Sequence, residues 1–259
     1  MKQNTIRQRW NDGVTALGTF VFSRDAATTD IAAHALYDFV IADLEHAPLD
    51  MRDVEGHIRA ADANGICALA RISSGDLKVI NRILDMGAAG IVYPHFGVDL
   101  EDSRAFADVL RYAPAGRRPS CGSVRANRYS LIPHGTYTKQ SDADVISIGL
   151  IEDIEAVDNL EAILRECKVD VIMPGAGDLS TSMGLAGQQN HPEVRKVVER
   201  IVDIAQAAGV RVGMYLRDPE EARAWKDRNI SLFVYQVDLK TLAAAYKKAA
   251  EGIRSAIAS

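Results

Sequence analysis

The chain has 259 residues, 47% of them apolar and 25% charged, the balance of a packed soluble protein and far from disordered or collagen-like compositions. Its formal net charge is −5, and Lys and Arg are scattered, so no basic stripe exists to attract nucleic acid and none is expected as a partner. No stretch approaches about 18 uninterrupted apolar residues, and the opening Met1–Arg7 segment lacks the apolar run of a secretory signal, so neither membrane insertion nor export is expected. Cys67, Cys121 and Cys167 are odd in number, far apart, and set in or beside apolar segments where a reduced thiol packs as a small hydrophobe, which fits a reducing cytoplasm.

Short runs rich in Val, Ile, Leu and Phe recur along the chain, each followed by a longer stretch of helical periodicity, the alternation that builds a parallel sheet. Eight such strands are expected: Ala16–Phe22, Phe39–Leu44, Cys67–Ile72, Gly90–Pro94, Val145–Ile151, Val171–Pro174, Val210–Leu216 and Leu232–Val237. Leu77–Met86 has apolar residues at 77, 79, 80, 83, 84 and 86 and reads as a helix. Pro192–Ala208 and Pro219–Asp227 start with proline, which suits a first helical position. Arg111–Lys139, with Pro114, Gly116, Pro119, Gly122, Pro133 and Gly135 and arginines at 117, 118, 125 and 128, is the one long irregular stretch. Placed after the fourth strand, it is expected to act as a lid or substrate-binding loop. Leu239–Ile257 reads as an amphipathic helix that closes the barrel or packs on a neighbouring subunit. An open doubly wound sheet is the competing architecture, but it usually has fewer strands, and no G-x-G-x-x-G follows the first strand. The expectation is α/β: a single (β/α)8 TIM barrel over residues 1–259.

Barrel chemistry gathers at the C-terminal ends of the strands, which directs attention to the polar residues just past each apolar run. Strand two ends in Asp43-Leu44-Glu45-His46-Ala47-Pro48, strand three in Arg71, strand five in Glu152-Asp153, and strand six in Gly175-Ala176-Gly177-Asp178. Glu152 and Asp178 come from successive strands and can converge, where two carboxylates repel unless a cation or shared proton relieves them. An all-oxygen ligand pair suits Mg²⁺ or Mn²⁺, and Co²⁺ less decisively; the alternative is that both acids cap or salt-bridge at strand ends. A free imidazole titrates near neutrality, which makes His46 a candidate general base or else a structural strand-end histidine. Arg71 offers a planar fork of donors to a carboxylate or enolate oxygen, or else pairs with a neighbouring acid. The small residues Gly175, Ala176 and Gly177 let backbone N–H groups approach an anion beside Asp178.

Together these segments resemble the metal-dependent (class II) pyruvate aldolases of the 4-hydroxy-2-oxoheptanedioate aldolase and citrate lyase family, HpcH/HpaI. The stretches that carry the likeness are Asp38 to Asp50 with its Glu-His-Ala-Pro run, Arg71, Leu84 to Pro94, and Gly175 to Gly184, where Asp178-Leu179-Ser180 precedes Ser182-Met183-Gly184. The resemblance implies a barrel with a C-terminal helix swapped between subunits and a homo-oligomer, trimer or hexamer. It implies Glu152 and Asp178 as ligands of Mg, Mn or Co, Arg71 on the keto-acid oxygen, His46 as base, and Asp85 as the acid that orients His46. The implied reaction breaks or forms the C3–C4 bond of a 4-hydroxy-2-oxo acid, giving pyruvate enolate and an aldehyde, with no Schiff-base lysine. Within the same superfamily a citrate lyase-like or malyl-CoA lyase-like cleavage of a thioester substrate is the runner-up, and a 2-oxo acid and metal-binding barrel without turnover is a third reading. The departures lie on the acceptor side: Leu150 where glutamine is usual, Ser73 and Ser74 for Pro-Trp, His95 for methionine or a similar apolar residue, and a loop shortened before Arg125.

Overall fold

In the computed structural model, which describes residues 4–258, eight parallel strands close into a barrel in chain order. The strands are β1 (Ala16–Val21), β2 (Phe39–Asp43), β3 (Cys67–Arg71), β4 (Gly90–Tyr93), β5 (Ile146–Ile151), β6 (Val171–Pro174), β7 (Arg211–Leu216) and β8 (Leu232–Val237), each within one residue of its expected bounds. Around them run α1 (Thr5–Asn11), α2 (Ala27–His34), α3 (Met51–Asn64), α4 (Ile80–Met86), α5 (Leu100–Val109), α6 (His134–Asp144), α7 (Ile154–Glu166), α8 (Ala176–Ser182), α9 (Pro192–Ala207), α10 (Glu221–Trp225) and α11 (Asp238–Ala258). Among the described residues no helix is long and apolar enough to cross a membrane.

Alternation along each strand divides the core in two. Phe39 and Ile41, Leu69, Val92, Ile146 and Ile148, Val171, and Leu232 and Val234 belong to one fully or nearly buried cluster that fills the barrel. Val40 and Ala42, Ala68 and Ala70, and Ile91 belong to the cluster between the sheet and the helices. The filling is tight: a Cβ added to Gly18 would stand 2.2 Å from the Phe39 ring, so the glycine makes room for that ring. Carried to the strand ends, the same two-residue period brings Asp43, Arg71 and Glu152 inward as the uppermost layer, and all three are buried.

Two helix expectations and one loop expectation need adjustment. Leu77–Met86 is a 3-10 turn, Leu77–Val79, running into α4, and Pro219–Asp227 shrinks to α10. The Arg111–Lys139 stretch neither follows β4 directly nor stays irregular: α5 intervenes, and the stretch contains a 3-10 turn at Arg125–Asn127 and the start of α6. It therefore links a helix to β5, and such connections lie at the N-terminal end of the barrel, opposite the mouth. The lid expectation is corrected accordingly.

At that base Asp170 ties the chain together. Its carboxylate accepts from the Ser147 backbone N–H and hydroxyl, at 2.9 and 2.8 Å, and from Arg7 and Arg111, at 3.0 and 3.1 Å. Burial opposes the charge, but these donors outweigh it and hold the Asp170 carboxyl below the usual carboxylate range. A lowered folded value means that the stability is present above the ordinary carboxylate value and is lost as pH falls through the folded one. Asp170→Asn is expected to cost about 3 kcal/mol near neutrality. The difference in urea midpoint between the variant and the parent should shrink in strong acid, and a difference independent of pH would contradict the assignment.

Candidate active site

The mouth is organised by a buried ion pair between the last residues of two neighbouring strands. Asp43 pairs with Arg71 in the β2–β3 register, and its carboxylate accepts from Arg71 Nε at 3.1 Å and, more closely, from Nη2. The same carboxylate accepts from the backbone N–H groups of Glu45 and His46, at 2.8 and 3.2 Å, which turns the chain outward after β2. Arg71 also packs its guanidinium carbon 4.8 Å from the Phe20 ring centre and reaches Glu45 through Nη1 at 3.4 Å. Fully buried Asp43 was missed as a site residue in the sequence reading, although its period-two alignment with Phe39 and Ile41 could have flagged it.

A cavity of about 340 Å³ opens above this pair, lined by His46, Arg71, Leu150, Glu152, Asp178 and the Gly175–Gly177 turn. The structure thus brings Glu152 and Asp178 to one place. Burial pushes the Glu152 carboxyl up, aided by the negative charges of Asp178 and Glu45 and opposed by the backbone N–H and ring of His95. Glu152 Oε1 accepts from the His95 backbone at 2.8 Å. A Cβ at position 175 would lie 2.6 Å from Glu152 Oε2, so only glycine there leaves this carboxylate its place. Two carboxylates from successive strands offer the oxygen donors that a hard divalent cation takes. Among the described residues no group of three or more His, Cys, Asp or Glu forms a metal cluster. Gly175 to Asp178 are the cap and first turn of α8, and the motif beyond them is structural: Ser180 is buried, and Ser182 Oγ accepts from the Ile154 N–H at 3.0 Å, joining α8 to α7.

His46 stands at the rim, its side chain 57% exposed, with Nε2 3.8 Å from Glu45 Oε2. Burial pushes the Glu45 carboxyl up, while Arg71 and His46 oppose the shift. Asp85 is not brought to His46 within the chain. It lies in the last turn of α4, which descends to the start of β4, and there it accepts from Arg118 at 2.8 Å and Asn81 at 3.2 Å. Within the chain Arg125 likewise stands away from this cavity: it binds Asp62 and, at 2.7 Å, the Met86 carbonyl, at the ends of α3 and α4 and thus at the barrel base. The other acceptor-side candidates do lie at the mouth. Leu150 lines the main cavity, Ser74 and His95 line an adjoining cleft, and Ser73 Oγ donates to the Leu44 carbonyl at 3.3 Å. Tyr215, Arg217 and Lys240 also line the main cavity and were missed; Arg217 directly follows β7, where a scan of strand ends would find it.

Asp43→Ala strands a buried guanidinium and is expected to destabilise by about 3 kcal/mol or more. Adding Arg71→Met should recover part of that loss. Urea midpoints of the single and double variants test this, and strictly additive losses would contradict the coupling.

Residues 16–245 match the HpcH/HpaI aldolase/citrate lyase family. A hydroxypyruvate/pyruvate aldolase of Pseudomonas aeruginosa is 31% identical over 245 residues, covering 92% of this chain and 88% of that protein. A 4-hydroxy-2-oxovalerate aldolase of Rhodococcus jostii is 32% identical over 213 residues, covering 82% and 81%. The crystal structure of an HpcH/HpaI aldolase from Desulfitobacterium hafniense superposes with a TM-score of 0.90 at 25% identity, covering 96% of each chain. Spanning the barrel from β1 to α11, these similarities show that the chain belongs to the HpcH/HpaI aldolase/citrate lyase family.

Proposed function

We propose that this chain is a class II pyruvate aldolase, which breaks and forms the C3–C4 bond of a 4-hydroxy-2-oxo acid through a pyruvate enolate. The observation that carries the reading is the convergence, in one cavity, of a buried arginine fork, a glycine-rich turn and two carboxylates from successive strands. Glu152 and Asp178 would hold Mg²⁺, Mn²⁺ or Co²⁺, which supplies the Lewis acidity that polarises a 2-oxo group.

The chain's own residues account for the rest of the chemistry. Arg71, fixed by Asp43, presents donors to the carbonyl oxygen of the keto acid, where negative charge grows as the enolate forms. The small residues 175–177 leave room for the substrate carboxylate beside Asp178. His46, with Glu45 beside it, takes the proton of the 4-hydroxyl group. The C3–C4 electrons then pass to the enolate, the aldehyde leaves, and protonation at C3 gives pyruvate. Addition is the reverse. Lys240 lines the cavity, but this route requires no Schiff base.

Exchange of the C3 protons of pyruvate in D₂O, followed by NMR, reads the enolate step without any aldehyde. Exchange should require added divalent metal, and both chelation and Glu152→Ala should slow it by roughly a hundredfold or more. His46→Ala should slow cleavage of a 4-hydroxy-2-oxo acid by about a hundredfold. Exchange that survives both chelation and Glu152→Ala would overturn the metal assignment, and pyruvate binding without any exchange would favour a binding-only barrel.

The swapped helix and homo-oligomer fit α11. It has 21 residues with none buried, and Leu239, Leu242, Tyr246, Ile253 and Ile257 fall on one stripe, with exposures of 44, 44, 69, 65 and 81%. Light scattering coupled to size exclusion should give a trimer or hexamer, and Leu242→Asp with Ile253→Asp should shift it to smaller species. A monomeric parent at micromolar concentration would contradict this.

A further inference from the structure

Next to the main cavity lies a cleft of about 230 Å³ whose wall is polar apart from Val98: Ser74, Tyr93, His95, Asp99, Asp102 and Asp153 complete it, with no Lys or Arg. His95 joins the two spaces: its backbone N–H holds Glu152, and its side chain, 39% exposed, faces the cleft. The residue is left-handed, with φ of 50°, and is locked there by Glu152 on its own N–H and by the Phe96 N–H donating to the Leu150 carbonyl at 2.9 Å. Asp153 Oδ2 lies 2.8 Å from His95 Nδ1. A carboxylate accepts, so Nδ1 carries the hydrogen, the ring is fixed, and Nε2 is left without a partner among the described residues.

We propose that His95, steered by Asp153, selects the aldehyde, and that this cleft takes hydroxylated aldehydes in preference to carboxylated or purely aliphatic ones. The inference rests on the aldolase reading above and names its acceptor. A hydroxyl group both donates and accepts, so it pairs with Nε2 in either protonation state and with the hydroxyl and carboxylate groups of the wall. A carboxylated aldehyde meets three carboxylates and no lysine or arginine. An alkyl chain covers polar groups without bonding them. Methionine at position 95 would remove the oriented ring nitrogen. His95 is a specificity-determining residue in this account.

The test compares kcat/KM for addition of pyruvate to glyceraldehyde, propanal and succinic semialdehyde by the full-length, metal-supplemented enzyme. Ratios within one variant cancel any loss of folded protein. The parent should favour glyceraldehyde over propanal by about tenfold or more, with succinic semialdehyde the poorest. His95→Met should cut the glyceraldehyde-to-propanal ratio about tenfold, and His95→Gln should restore part of it. Asp102→Asn should raise succinic semialdehyde relative to propanal. An unchanged ratio in His95→Met, or a parent that prefers succinic semialdehyde, overturns the inference. Pyruvate C3 exchange in the parent separates the two levels: exchange with the wrong ratios sinks the acceptor assignment alone, whereas no exchange sinks the aldolase reading beneath it.

Discussion

The buried pair of Asp43 and Arg71 sets the geometry on which the mouth depends. Each residue ends a strand whose inward side chains have filled the barrel, so each is carried into a layer where an unpaired charge is costly. Pairing removes that cost and also fixes the guanidinium plane, because two donors of one fork engage one carboxylate. The same carboxylate gathers the N–H groups of Glu45 and His46 and so decides where the chain leaves β2. One acid thereby positions both the anion-binding group and the residue proposed as base.

Charge around this pair is unevenly distributed. Arg71 is shared between Asp43 and Glu45, while Glu152 is buried beside Asp178 with glycine at position 175 to admit it. That leaves surplus negative charge on the β5–β6 side of the cavity and the arginine on the β2–β3 side. A 2-oxo acid bridging a cation and a guanidinium matches such a division, since its carboxylate and carbonyl oxygens need positive charge on both flanks. The cleft beyond His95, proposed to take the acceptor, has three carboxylates and two hydroxyl groups in its wall. Donor and acceptor halves of the site meet at one residue whose backbone serves the first and whose ring serves the second.

The sequence made the strands legible because their buried faces demand apolar runs of fixed length, and the strand-end polar residues followed by position alone. Position along the barrel axis was harder to read. Arg125 and Asp85 stand, within the chain, where it returns to the base: Asp85 is in the last turn of a descending helix, and Arg125 sits on the connection from α5 to β5. Counting helices between strands would have assigned that connection to the base, but prolines and glycines hid α6. Asp43 escaped for another reason: an acid within an apolar strand looks like its polar end, and only its buried partner across the ladder shows its positioning role. His95 was noticed as an oddity, but its left-handed backbone and its contacts with Glu152 and Asp153 are tertiary facts that no local pattern encodes.

The central claim is that Glu152, Asp178 and Arg71 form one site for a divalent cation and a 2-oxo acid. A crystal soaked with Mn²⁺ and pyruvate, examined by anomalous scattering, tests it most directly. The account predicts a manganese peak between the carboxylates of Glu152 and Asp178, with pyruvate lying between that ion and the Arg71 guanidinium. A peak elsewhere, or pyruvate bound away from Arg71, would contradict it.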